Sequence, residues 1–229
     1  ILQYDKEEND SLNNFVFNNT SYWKKPVIVI ACHSNNEVKI RCLLNNLEYF
    51  SKISNVIHII NSDNLRGILE DRIKGDKYII NNQLNDVQRI LYQNKYADLK
   101  ANNGVDIDQH YKIFGVAECR KIPNTVNVNI SYVKNSKLSG QIKWSNCLYK
   151  IKSKYENYII TNDSIILINS LIPFIDYCKT SKKELIGLLD SYEFKYHYPD
   201  FLRYYNRSGI NKWLKFFENN KDRINSQMD

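Results

Sequence analysis

The stretch VIVIACH at residues 27–33 constrains the fold more than any other part of the chain. A strand with one wet face alternates apolar and polar residues. This run is apolar throughout and rich in β-branched residues, so it reads as a strand buried on both faces, as in parallel sheets. VIHIIN at 56–61 repeats the signal. Between them, after the polar break SNN, EVKIRCLLNNLEYF sets Val38, Cys42 or Leu43, Leu47 and Phe50 near helical spacing, with Glu37 at the end where the helix dipole favours negative charge. Residues 27–61 therefore predict a β-α-β unit with a right-handed crossover. The fold class is α/β, a central and mostly parallel Rossmann-type sheet flanked by helices.

The remaining segments fit that frame. Residues 1–25 are a polar, irregular N-terminal extension ending in SYWKKP, and Pro26 marks the start of one domain over 26–229. KYII at 77–80 reads as a short strand and LNDVQRILYQNKYADL as a helix. Residues 101–125 read as a loop-rich insertion with little periodicity. VNVNISYV at 126–133 alternates as a half-buried strand does. The segment after it, SGQIKWSNCLYKIKS, is helical on the spacing of Ile142, Cys147 or Leu148, and Ile151. YIIT at 158–161 is another buried strand. Beyond it come a helix near 171–180, a strand ELIGLLD at 184–190, a polar turn SYEFKYHYPDF and a final amphipathic helix INKWLKFFENN.

Composition narrows the function classes. With 229 residues, 43% of them hydrophobic, the chain can bury a large core and stands far from the disordered class. Its net charge of +7 attracts phosphate, but the basic residues are dispersed and not interleaved with aromatics, so a nucleotide is expected rather than a nucleic acid. Cys32, Cys42, Cys119, Cys147 and Cys178 form no C-x-x-C pair and read as reduced core residues. No apolar run approaches the ~20 residues of a membrane span and no signal-peptide pattern opens the chain, so a soluble, cytoplasmic protein is expected. The first residue is Ile, which leaves room for further domains in a longer chain.

YIITNDSIIL at 158–167 carries the main chemical signal, because Asn162, Asp163 and Ser164 interrupt an apolar run at the C-terminal end of a strand. Open α/β sheets bind ligands at that end. A carboxylate there could anchor a divalent cation, Mn²⁺ or Mg²⁺, which would neutralise the diphosphate leaving group of a nucleotide sugar. The bland alternative is a capping or Asx-type turn. Asp163 is expected to face solvent, so that its removal costs little stability. His33, after the first strand, could meet a nucleotide base, against a solvated loop histidine. Lys39 and Arg41, early in the next helix, could reach phosphate, against the alternative of a solvated helix face. Asp190, at the end of a buried strand, is the candidate general base for an acceptor hydroxyl, against a turn carboxylate. His197 could join Asp163 on a metal or touch phosphate, against a satisfied histidine among Tyr192, Tyr196 and Tyr198. Tyr204 and Tyr205 could offer a stacking face to an acceptor sugar, or pack in the core.

The segment from Tyr158 to Arg207 resembles the rhamnan synthesis protein F family of glycosyltransferases. It carries, in order, Asn162-Asp163-Ser164, then Gly187 with Asp190-Ser191, then Tyr196-His197. IVIACHSNNEVKIRCLLNNLEYF is similar to the family's first strand and helix. ISYVKNSKLSGQIKW is similar to its strand, Asn, Gly-containing turn and helical Trp. The resemblance implies a GT-A type fold and transfer of a sugar from a nucleotide-sugar donor to a glycan or other hydroxyl acceptor, with inversion. Rhamnosyl transfer is the form that part of the family implies. It makes Asn135 a donor contact beside His33, Lys39, Asn162, Asp163 and Ser164. In one place the chain departs from the pattern: the family's Gly-x-Asp turn is replaced by Ser139-Gly140, and no carboxylate stands between Asn135 and Trp144. A domain of this fold that binds glycan or nucleotide without transferring sugar is the alternative.

Overall fold

The structure, a computed structural model, describes residues 25–33, 35–102, 104–118, 120–134, 140–188 and 202–226. Seven strands form one sheet: β1 (Val27–Ala31), β2 (Val56–Ser62), β3 (Tyr78–Ile80), β4 (Val126–Val133), β5 (Asn157–Asn162), β6 (Leu185–Gly187) and β7 (Leu202–Asn206). Their order across the sheet is β3-β4-β2-β1-β5-β7-β6. β1 pairs in parallel with both β2 and β5, and β4 pairs in parallel with both β2 and β3. Only β7 runs against its neighbours β5 and β6. The sheet is thus mostly parallel, as VIVIACH and VIHIIN require.

The helices are α1 (Glu37–Ile53), α2 (Asp86–Lys95), α3 (Ala97–Lys100), α4 (Ile107–His110), α5 (Gly140–Ile151), α6 (Ile172–Thr180) and α7 (Arg207–Ser226). Alternation along β1 explains why both its faces are apolar. Ile28 and Ile30 join Leu43, Leu47 and Phe50 of α1 and Ile175 of α6 in one layer. Val27, Val29 and Ala31 join Trp144 and Leu148 of α5 and Leu214 of α7 in the other. Burying its four valine and isoleucine side chains, each worth about 1.5–3 kcal/mol, is what makes a central strand of this kind stable. A smaller cluster of Ile79, Leu84, Tyr92, Leu99, Tyr111 and Ile122 packs at the β3 end.

Several local expectations need correction. Val38 is 71% exposed, and Ile40 takes the core position, so the inward stripe of α1 runs Ile40, Leu43, Leu47, Phe50. Val38 and Ile40 share the first turn but stand about 200° apart round the helix, so only one of them can face the sheet. Residues 101–125 are more ordered than the loop expected, with α4 followed by a π-helical turn at Tyr111–Gly115. β7 was not anticipated: LRYYN is a strand whose Tyr204 and Tyr205 are buried on opposite faces, which favours core packing over an exposed sugar platform. Cys32, Cys147 and Cys178 are buried and form no disulfide among the described residues, and Cys42 is half-buried; Cys119 lies outside the described residues. Among the described residues no helix is long and apolar enough to cross a membrane.

Candidate active site at the strand ends

From β1 the chain crosses to β2 on one side and, after β4 and α5, returns to β5 on the other. The crevice between the C-terminal ends of β1 and β5 is therefore the switch point of the sheet, where open α/β folds place ligands. The backbone is locked there. The Asp163 N–H donates to the Ala31 carbonyl at 3.2 Å, and Cys32 leans the other way, its N–H on the Ile60 carbonyl at 2.8 Å. The His33 N–H then donates to Asp163 Oδ2 at 2.6 Å, closing the two strand ends against each other.

Asp163 is 2% exposed, not solvent-facing as expected, because its carboxylate turns inward to that amide. The turn role falls to Asn162, whose Oδ1 accepts from the Ser164 N–H at 2.9 Å, with Ser164 exposed. An Asx turn is thus present, but one residue earlier than the Asp.

Lys143 is the residue that sequence reasoning missed. It lies in the first turn of α5 and is 0% exposed. Its Nζ donates to the Cys32 carbonyl at 2.5 Å and to Ser62 Oγ at 3.2 Å, and lies 3.1 and 3.3 Å from the two ring nitrogens of His33. Burial pushes its pKa down to about 8; Cys32 and Asp163 pull it back up, and Lys39 presses it further down. An ammonium inside a protein is tolerated when its donors are met, and here they are met by strand-end groups. Trp144, the next residue, pins the helix by donating Nε1–H to the Thr161 carbonyl at 2.8 Å. A signal was present in the sequence: Lys143, Cys147 and Ile151 repeat every four residues, so the lysine sits on the core stripe of its helix.

Lys39 is half-buried, and its charge is felt at Lys143, so it belongs to the same neighbourhood. Arg41 does not: it is exposed and paired with Glu37 at 2.9 Å, the solvated-face alternative. At the end of β2, buried Asn61 takes the Ser62 N–H on Oδ1 while its Nδ2 has no hydrogen-bond partner among the described residues. Orphaned buried donors of this kind are rare. Asp190, His197 and Asn135 lie outside the described residues.

The structure thus brings together His33, Lys39, Asn162 and Asp163 and adds Lys143 and Ser62. Its charge character is cationic. Among the described residues no group of three His, Cys, Asp or Glu side chains could hold a metal ion, and the Asp163 carboxylate is engaged with His33. The expected metal pair, Asp163 with His197, is not complete among the described residues, because His197 lies outside them; among the described residues the positive charge at the strand ends is that of Lys143, with Lys39 near it.

Fold and site together define an α/β protein with a mostly parallel sheet and a buried ammonium at the switch point of its strands. No family model matches the chain, and no curated protein matches it. Among solved structures it is similar to 4-diphosphocytidyl-2C-methyl-D-erythritol synthase from Anaerococcus prevotii DSM 20548, with a TM-score of 0.44 and 10% identity over 85% of this chain and 77% of that one.

Proposed function

We propose that this chain is a GT-A type glycosyltransferase that holds a nucleotide-sugar donor at the β1–β5 crevice and passes the sugar to a hydroxyl of a glycan. One observation carries the reading: a fully buried lysine ammonium with polar partners at the ligand-binding end of the sheet. Departure of a nucleoside diphosphate concentrates negative charge on its phosphates. A positive charge fixed beforehand in a water-poor site stabilises that charge more than water can. Lys143 supplies it, with Lys39 behind it. Asp163 acts as a positioning residue, holding the His33 amide so that the β1 and β5 ends stay in register. Asp190, in the strand-end motif Gly187-x-x-Asp190-Ser191, takes the acceptor proton as inversion proceeds.

The resemblance to the rhamnan synthesis protein F family, resting on its ordered motifs, supports the glycosyl part of this reading. One observation favours the second reading, a binding domain that keeps the crevice without transfer: no carboxylate stands between Asn135 and Trp144, where that family has Gly-x-Asp. Thermal shift with nucleoside diphosphates and nucleotide sugars, with and without Mn²⁺ or Mg²⁺, followed by a single-turnover assay on the stabilising donor, separates the two. Stabilisation with sugar release or transfer is the expected result. Stabilisation without either would leave the binding domain, and a shift with oligonucleotides alone would end both readings.

A further inference from the structure

A concave site lies beside Gln141 in the first turn of α5, with none of the crevice residues in its lining. It is a groove of about 440 Å³ whose walls come from α7, the start of β6, β7 and Gln141 of α5. The volume lies within the range of small-molecule sites, about 300–1,000 Å³. Its making is specific. Gly209 brings α7 so close to the chain before β6 that a Cβ there would stand 2.2 Å from the Glu184 carbonyl oxygen. Lys212 then closes on Glu184 at 2.6 Å, and Ser208 Oγ donates to the same carboxylate at 2.6 Å. This fastening places Trp213, Phe216 and Phe217 along one side. The Trp213 and Phe217 rings stack at 5.9 Å between centroids and 21° between planes, while Phe216 is left 61% exposed.

We propose that this groove binds a pyranose ring of a glycan. A sugar ring has an apolar face of C–H groups and an equator of hydroxyls that both donate and accept. The groove offers the matching set: flat indole and phenyl surfaces on one side, and on the other a carboxylate, a guanidinium and an amide from Glu184, Arg203 and Gln141. The lining carries both signs of charge, which suits neutral hydroxyls better than a phosphate. Phe216, 61% exposed, leaves a phenyl face open at the rim of the groove. This proposal does not rest on the transferase reading, because a domain without catalysis would keep the groove.

The test is direct binding of methyl glycosides of rhamnose, glucose, galactose and N-acetylglucosamine, read by saturation-transfer NMR and by tryptophan fluorescence. At least one is expected to bind with a Kd in the range of about 1–10 mM, as befits a single exposed ring. Trp213→Ala is expected to weaken that binding at least tenfold. Phe216→Ser, at an exposed position where folding is unaffected, is expected to weaken it by about threefold. Binding of nucleoside diphosphate is expected to be unchanged in both variants, which keeps this result separate from the crevice. No saturable binding by any of the four, or binding unaltered in both variants, overturns the proposal. So does a change of oligomeric state in Phe216→Ser without loss of sugar binding, which would make the groove a contact between copies of the chain.

Discussion

Two ionisable side chains meet the same face of β2 and are treated in opposite ways. Val56, His58, Ile60 and Ser62 alternate onto the α5 side of the sheet, and Lys143 at the start of α5 reaches Ser62. His58 lies four residues back along the strand, about 13 Å away. Lys143 is fully buried, and His58 is half-buried with its Nε2 shielded from water. Lys143 is surrounded by the Cys32 carbonyl, the Ser62 hydroxyl and the His33 ring, with Asp163 near, and its pKa of about 8 leaves it charged at neutral pH. The His58 Nε2 has no hydrogen-bond partner among the described residues; burial drives its pKa down to about 4 and the Lys154 charge adds to this, so it is neutral. A pKa lowered by desolvation is common to the two and cannot be what marks a site. What differs is the gathering of polar strand-end groups at the C-terminal edge.

The contrast is sharpened most by variants at that edge. Asp190 lies outside the described residues; on the transferase proposal Asp190→Asn lowers single-turnover transfer by about 10²- to 10⁴-fold while donor affinity stays near wild type, as measured by calorimetry beside the assay. Lys143→Met is expected to weaken nucleoside diphosphate binding by about 10- to 100-fold, whereas His58→Gln leaves it unchanged. Equal losses in both would break the comparison. Asp163→Ala leaves the His33 amide without its buried acceptor and is expected to lower unfolding free energy by about 1–3 kcal/mol in urea titration.

The smallest effects are in the pH dependence of stability, which has the same sign for both groups, in two separate windows. The Lys143 pKa is lowered from 10.5 to about 8 in the folded chain, so between those values the unfolded chain binds more protons and stability rises with pH. The His58 pKa is lowered from 6.5 to about 4, so stability is lost as pH falls through that window and is unaffected above it. Melting curves should show the alkaline rise vanish in Lys143→Met and the acid loss shrink in His58→Gln.

The central sheet was legible because β1, β2 and β5 are buried on both faces, which leaves a continuous apolar run that few other structures produce. The C-terminal half was less so. β7 hides within LRYYN, where tyrosines that serve two opposite core layers look like an exposed aromatic run. The π-helical turn at Tyr111–Gly115 follows tertiary packing: a Cβ on Gly115 would stand 2.5 Å from the Tyr92 hydroxyl, a constraint set by a residue distant in sequence. At the site, the strand-end position of Asp163 was readable from its apolar flanks, but its inward turn depends on the His33 amide, 130 residues away. Lys143 was masked by habit, since lysines on helices usually face water. Its place on the stripe with Cys147 and Ile151 was the available clue.

The central claim is that the β1–β5 crevice binds a nucleoside diphosphate through the Lys143 ammonium. Calorimetric titration of dTDP, UDP, GDP and CDP into wild type and Lys143→Met, from about pH 6 to 10, tests it most directly. Binding requires the protonated lysine, so wild-type affinity for the preferred nucleotide is expected to be level up to about pH 8 and then to fall by about tenfold per pH unit. The variant is expected to bind more weakly and without that fall. Wild type and variant binding alike at every pH, or no binding of any of the four to wild type, would contradict the account.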